Sequence, residues 1–237
     1  MEWLPDYALP EDEMQINHGN AFIKLRQAAI RVYTSEKYEK RGECGEIALH
    51  AVCRQFFDTI PISPRVFYKS STNDVVKSFD LVHARFPSGK PFEIWLGESK
   101  LYEDSSDAIG DAISSIVSHI DAGFLKNQKL LLGPQVPKTS PHYDEILKVF
   151  KTQTSIDEFL KAAVFVIGIS CNSIAAKEAE QCDPAYVDQA KKELAYLVGR
   201  LSKSGLCSKL RIVLVYIPLA SKAALVSDFD KRLKGLQ

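Results

Sequence analysis

Cysteine is sparse and unpaired in this sequence. Cys44, Cys53, Cys171, Cys182 and Cys207 are an odd number with no close pair among 237 residues. No CxxC occurs and no His/Cys cluster has zinc-ligand spacing, which excludes a disulfide scaffold and a structural zinc domain. The expectation is reduced thiols in a cytoplasmic protein. A GxSxG nucleophile elbow is also missing, and with it that class of serine hydrolase. Long hydrophobic runs are absent: the longest, Ala162 to Ile169 and Ile212 to Ala220, are far too short to cross a bilayer. The amino terminus carries Glu2, Asp6, Glu11, Asp12 and Glu13 rather than a basic-then-apolar leader. Net charge is missing as well. Thirty Lys plus Arg balance thirty Asp plus Glu, which excludes a polybasic coat or an acidic tail protein. There is no internal repeat, low-complexity tract or Gly/Ser-rich linker.

What is present suits a globular chain. The composition is 46% hydrophobic, 25% charged and 10% aromatic, enough apolar residues to bury a core. One domain over residues 1–237 is expected, with its core at about 42–170, a helical extension over 1–41 and a helix-strand-helix over 184–237. Charge is unevenly spread. Residues 200–237 hold eight basic residues (Arg200, Lys203, Lys209, Arg211, Lys222, Lys231, Arg232, Lys234) against Asp228 and Asp230, a net +6 that suits contact with a polyanion. A solvated helix face explains Lys231, Arg232 and Lys234 equally well.

Hydrophobic periodicity supplies the elements. Helices are expected over Asn20–Thr34, Gly42–Phe57, Asp104–Leu131 with a break near Gly123, Pro184–Lys203 and Ser221–Leu236. Strands are expected over Arg65–Lys69, Phe79–Phe86 and Phe92–Glu98. The continuous apolar runs Ala162–Ser170 and Leu210–Ile217 read as strands buried on both faces, and Gly133 to Pro141, with three prolines, as a loop. The order gives an α/β fold, a mixed sheet whose antiparallel β-meander is followed by parallel crossover strands.

The most informative stretch is Phe79 to Lys100. Pro87-Ser88-Gly89-Lys90-Pro91 has hairpin length and turn chemistry. Folding symmetrically about Gly89 pairs Phe86 with Phe92, Ala84 with Ile94 and Val82 with Leu96, all on one apolar face. The same register sets Asp80 opposite Glu98, with Lys100 on the same face; a slip of one residue would bury His83 and Arg85 instead. Facing carboxylates repel and call for a cation. Mg²⁺ fits, since it favours oxygen ligands and retains waters that become nucleophiles. A lysine beside it either deprotonates or orients the water, or steadies the charge of a reacting phosphate. Chance gives about two to three acid-x-Lys triplets in such a chain, yet Glu98-Ser99-Lys100 is the only one. A partly exposed ion-pair network is the alternative reading of these residues. Glu46 shares a helical stripe with Leu49, Cys53 and Phe56, while Glu43 aligns with His50 and Arg54 on a more solvated face. Glu46 is therefore either an outer metal ligand or water-positioning group, or an acid complementing the helix dipole.

These residues resemble the PD-(D/E)XK nuclease core, with Glu46 as its helix acid, Asp80 in Ser78-Phe79-Asp80 as its first strand acid, and Glu98-Ser99-Lys100 as its (D/E)XK element. The family's leading proline is replaced by Phe79. More narrowly, Arg41-Gly42-Glu43-Cys44-Gly45-Glu46 and Gly97-Glu98-Ser99-Lys100-Leu101-Tyr102 resemble the HamA/AbpA-type proteins of Hachiman-type bacterial antiphage defence. The resemblance implies a restriction-endonuclease-like αβββαβ core with flanking helices. It implies catalytic Asp80, Glu98, Lys100 and Glu46, with Asp80, Glu98 and Glu46 holding Mg²⁺ or Mn²⁺. It also implies an endo- or exodeoxyribonuclease effector acting on DNA beside a superfamily 2 helicase. A catalytically inactive nuclease-fold subunit that binds DNA or the helicase is the alternative. Lys69, Lys77, Tyr102 and His119 are candidate contacts to the DNA backbone, and the neutral net charge points to a partner that delivers the DNA.

Overall fold

The computed structural model describes residues 3–33, 42–62, 79–140 and 142–237. A five-stranded sheet runs in the order β1 (Ile60–Pro61), β2 (Leu81–Arg85), β3 (Glu93–Tyr102), β4 (Ala163–Asn172) and β5 (Ile212–Leu219). The first two pairings are antiparallel and the last two parallel. The mixed α/β order expected from periodicity is therefore the order observed. On the α-helical side, α1 (Leu4–Ala8), α2 (Ala21–Val32) and α3 (Glu43–Phe57) precede the sheet. Next come α4 (Ser105–His119), α5 (Ala122–Leu132), α6 (Tyr143–Phe150) and α7 (Ile156–Ala162), between β3 and β4. Then α8 (Ile174–Glu178), α9 (Pro184–Lys203) and α10 (Lys222–Lys234) complete the chain.

Several expectations need correction. The break expected near Gly123 does divide Asp104–Leu131 into two helices, but it falls at Ile120–Asp121, where Asp121 turns out of the helix and its carboxylate caps α5 through the Gly123 and Phe124 amides. Periodicity also passes over α1, α6, α7 and α8, each of eight residues or fewer, too short to show a repeating stripe. β5 is only half-buried along its length; among the described residues it is the sheet's last strand, with no neighbour on one side, whereas β4 is buried from Ala163 to Cys171. The expected strand Arg65–Lys69 lies outside the described residues.

The hairpin has the register its turn implies. Val82 pairs with Leu96 and Ala84 with Ile94, Gly89 takes the positive φ of 69° that the turn needs, and the Phe86 and Phe92 rings stack at 5.6 Å. Val82, Ala84, Ile94 and Leu96 pack with Phe165, Ile167 and Ile169 beneath Ala108, Ile109, Ala112 and Ile116 of α4. On the opposite face Leu81, Trp95, Val164 and Val166 meet Leu49 and Cys53 of α3. Helix α3 comes close because side chains are missing where it lands. A Cβ on Gly45 would lie 3.0 Å from Ser99 Oγ, and one on Gly168 would lie 3.0 Å from Leu49 Cδ1.

Covering both faces corrects two further readings. His83 is 2% exposed, buried in the observed register, because α3 shields the face that the hairpin turns away from α4. The Glu43 side of α3 is not solvated throughout either: His50 is buried beneath α1, where its ring meets Tyr7 edge-on at 5.8 Å. Phe56, by contrast, is exposed, and its neighbour Phe57 packs on Trp95 at 4.9 Å.

Here the sequence hides a polar chain of five residues from four segments. Asp6 Oδ2 lies 2.9 Å from His50 Nε2, His50 Nδ1 lies 3.1 Å from His83 Nε2, and His83 Nδ1 lies 2.7 Å from Thr59 Oγ1. Arg54 closes it by donating to Asp6 Oδ2 and to the Thr59 carbonyl. A carboxylate only accepts, so His50 Nε2 donates to Asp6; with both rings neutral, His83 then donates to His50 and Thr59 to His83. Burial holds His83 well below the ordinary histidine range, and the charge of Arg54, like that of a protonated His50, adds to the effect. The unfolded chain therefore takes up a proton at His83 below about pH 6.5 while the folded protein does not. Its contribution to stability is complete above that pH and is lost on acidification, at up to about 1.4 kcal/mol per pH unit. Urea midpoints measured from pH 7.5 to 5 should fall, and less steeply in His83→Gln; equal slopes would dismiss this account.

Candidate active site

The site forms where β3 outruns its hairpin partner. The β2–β3 ladder ends at Leu81↔Gly97, while β3 continues to Tyr102 alongside β4. Along this extension Glu98, Lys100 and Tyr102 point to one face, as the period of two requires. Asp104 caps α4 by accepting from the Ser106 and Asp107 amides, so the helix turns back at once over that face. Asp111 and His119, two helical turns apart, lie on one stripe of α4.

The side chains form a continuous charged row. Lys100 Nζ lies 2.9 Å from Glu98 Oε1 and 2.7 Å from Asp111 Oδ2, and Tyr102 donates to that same Asp111 oxygen at 2.8 Å. His119 Nδ1 sits 3.5 Å from Glu98 Oε2. Burial works against the Lys100 charge, but the hydrogen bonds and charges of Asp111 and Glu98 outweigh it and hold the ammonium above its ordinary range. The Lys100 hydrogen bond in turn holds the Asp111 carboxyl below its ordinary range. Glu98 is 6% exposed, and its Oε2 is buried without a hydrogen bond among the described residues.

Asp80 stands at the fork, one residue before β2. Its amide donates to the Gly97 carbonyl at 2.8 Å and its Oδ2 accepts from the Ser99 amide at 2.8 Å, so the carboxylate is fastened to β3 beside Glu98. Glu46 is placed differently. It is buried on α3, against the face of β3 that carries Gly97 and Ser99, and accepts from Tyr7 Oη at 2.5 Å. Glu98 and Lys100 are thus brought together and Asp80 is joined to the same strand edge, whereas Glu46 lies on the α3 side of the sheet with Tyr7. Among the described residues no group of three or more His, Cys, Asp or Glu side chains is placed to hold a metal ion unaided. The donor chemistry nonetheless fits Mg²⁺. It commonly takes one or two carboxylates and completes its shell with water and substrate phosphate, and Glu98 Oε2, without a hydrogen bond among the described residues, keeps lone pairs that suit such an ion.

Other candidates fare unevenly. Lys69, Lys77 and Arg41 lie outside the described residues. His119 is not a contact for DNA: it is 7% exposed and packed between Phe79 at 4.8 Å and Phe124 at 4.5 Å. Tyr102 is spent on Asp111. Half of the carboxyl-terminal basic residues are tied down internally. Arg200 donates to Ser106 and Tyr196, Arg211 to Glu93 and the Lys161 carbonyl, Lys231 pairs with Asp228, and Lys234 with Asp230. Burial pushes the Cys44 and Cys171 thiols up to about 11 and Cys53 to about 12, far from the thiolate a nucleophile needs. Asp111 is the residue that sequence reading passes over. Its signal is faint: an acid eight residues before His119 on one stripe of a helix that follows a Glu-x-Lys strand.

No helix among the described residues is long and apolar enough to cross a membrane. Comparison with curated proteins and with solved structures finds no match. One family model does match, that of HamA, and it covers residues 1–233, almost the whole chain. With both quoted motifs inside that span, the chain belongs to the HamA family of antiphage defence proteins.

Proposed function

We propose that this chain is the DNA-cleaving effector of its defence system, a Mg²⁺-dependent deoxyribonuclease of the PD-(D/E)XK type that acts with a superfamily 2 helicase. The observation that carries the reading is the pairing of Glu98 and Lys100 at the open end of β3, with the second Glu98 oxygen buried, 3.5 Å from His119 Nδ1 and without a hydrogen bond among the described residues. Glu98 and Asp80 would hold the ion, with Glu46 as an outer group. The ion would supply an activated water and neutralise phosphate charge. Lys100 binds and steadies the phosphate as charge builds on it. It serves as a cation rather than a base, because two carboxylates within 2.9 Å oppose loss of its proton. The Ser99 amide, donating to Asp80 Oδ2 at 2.8 Å, holds that carboxylate at the edge of β3.

Plasmid DNA incubated with the protein and its helicase partner tests this directly. Cleavage should need Mg²⁺, stop on chelation and resume when the ion is restored. Equal cleavage in excess EDTA, or none with Mg²⁺ and the partner present, overturns the reading. In the second case the binding-subunit alternative takes its place.

A further inference from the structure

Lys100 has two acidic partners, and they are unlike. Glu98 is almost wholly buried, whereas the Asp111 side chain is 44% exposed on the rim of α4. An exposed carboxylate contributes little to stability through an ion pair, yet Asp111 makes the shorter contact, 2.7 against 2.9 Å. Its Oδ2 is also oriented by Tyr102, which comes from the same strand as Lys100. Lys100, Asp111 and Tyr102 thus form a closed bracket between β3 and α4. Glu98 has a competing duty. With its carboxylate holding a divalent ion, Glu98 would attract the neighbouring ammonium less, so Lys100 would need a second anchor when it faces phosphate.

Resting on the nuclease reading, we propose that Asp111, oriented by Tyr102, is the positioning residue that holds the Lys100 ammonium toward the scissile phosphate once Glu98 is committed to the metal. Asp111 acts through Lys100 and does not itself touch the reacting atoms. A misplacement of about 1 Å in such a group costs about 10²-fold in rate, and outer-shell partners commonly account for 10–100-fold.

Steady-state cleavage by Asp111→Asn, Asp111→Glu and Tyr102→Phe tests it, together with ¹⁵N NMR of the Lys100 ammonium in the DNA-free protein. Asp111→Asn keeps the side chain's size and removes its charge. Its kcat should fall about 10–100-fold with KM for DNA unchanged. Asp111→Glu should recover part of that loss, and Tyr102→Phe should fall between. The Lys100 ammonium protons should exchange with water several-fold faster in Asp111→Asn than in the wild type. Unchanged kcat in Asp111→Asn, in a protein that Glu98→Ala inactivates, sinks the positioning role alone. So does an unchanged ammonium exchange rate. A loss carried wholly in KM reassigns Asp111 to DNA binding. Cleavage that survives Glu98→Ala overturns the nuclease reading itself, and the positioning role goes with it.

Discussion

Glu98→Ala and Lys100→Ala should each lower Mg²⁺-dependent DNA cleavage by at least about 10²–10³-fold, the usual cost of removing one group that stabilises transition-state charge. Their effects on stability should differ. Glu98→Ala leaves Lys100 with Asp111 at 2.7 Å, so no charge is stranded and thermal unfolding should scarcely move. Lys100→Ala leaves the buried Glu98 carboxylate with only His119 at 3.5 Å, and a buried charge that loses its partner is costly. That variant should unfold earlier. Cleavage assays beside melting curves separate the two effects. Wild-type cleavage by both variants would sink the assignment of these residues. An equally small stability change in both would show that the pair is better hydrated than its burial indicates.

Leu49→Ala should be the most damaging of the core substitutions that touch the site, at about 2–5 kcal/mol. Leu49 is fully buried, and its methyl groups fill the space left by two glycines on adjacent strands. They lie 3.3 Å from a Cβ built on Gly97 and 3.0–3.1 Å from one on Gly168. The converse change, Gly168→Ala, crowds the same leucine and should cost about 1–3 kcal/mol. Combined, the new methyl occupies part of the cavity, so the double variant should be more stable than the sum of the two single changes. Urea unfolding of all four proteins measures the coupling. Additivity within about 0.5 kcal/mol would mean that α3 shifts to absorb each change independently. Such a shift would also carry Glu46, three residues before Leu49, away from Tyr7.

The residues behind these two predictions differ widely in how legible they are in the sequence. The hairpin register follows from local facts: a turn centred on a glycine and a strict alternation that a slip of one residue would invert. Glu98 and Lys100 share a face for the same reason, and any strand placed over these residues would set them there. The long apolar run of β4 and the proline-started α9 are equally local. Asp111 is not, because its partners, nine and eleven residues earlier, become neighbours only when α4 folds back over the end of β3. His83 is harder still. Its sequence context shows one histidine in an alternating strand, and the alternation is the same whether the second face meets water or a helix.

Alternation, turn chemistry and composition thus determined, within the sequence itself, a mixed sheet and an acid and a lysine side by side at a strand end. Those signals act over a few residues, where backbone geometry leaves little choice. The tertiary structure alone decided which surfaces are covered. It brought α1 over His50 and set α3 against two strand glycines, Gly97 and Gly168, with Glu46 facing Tyr7. It also laid α4 across the charged row, giving Lys100 its second carboxylate. Such decisions depend on the volume and charge of segments far apart in the chain, and no local pattern encodes where they will meet.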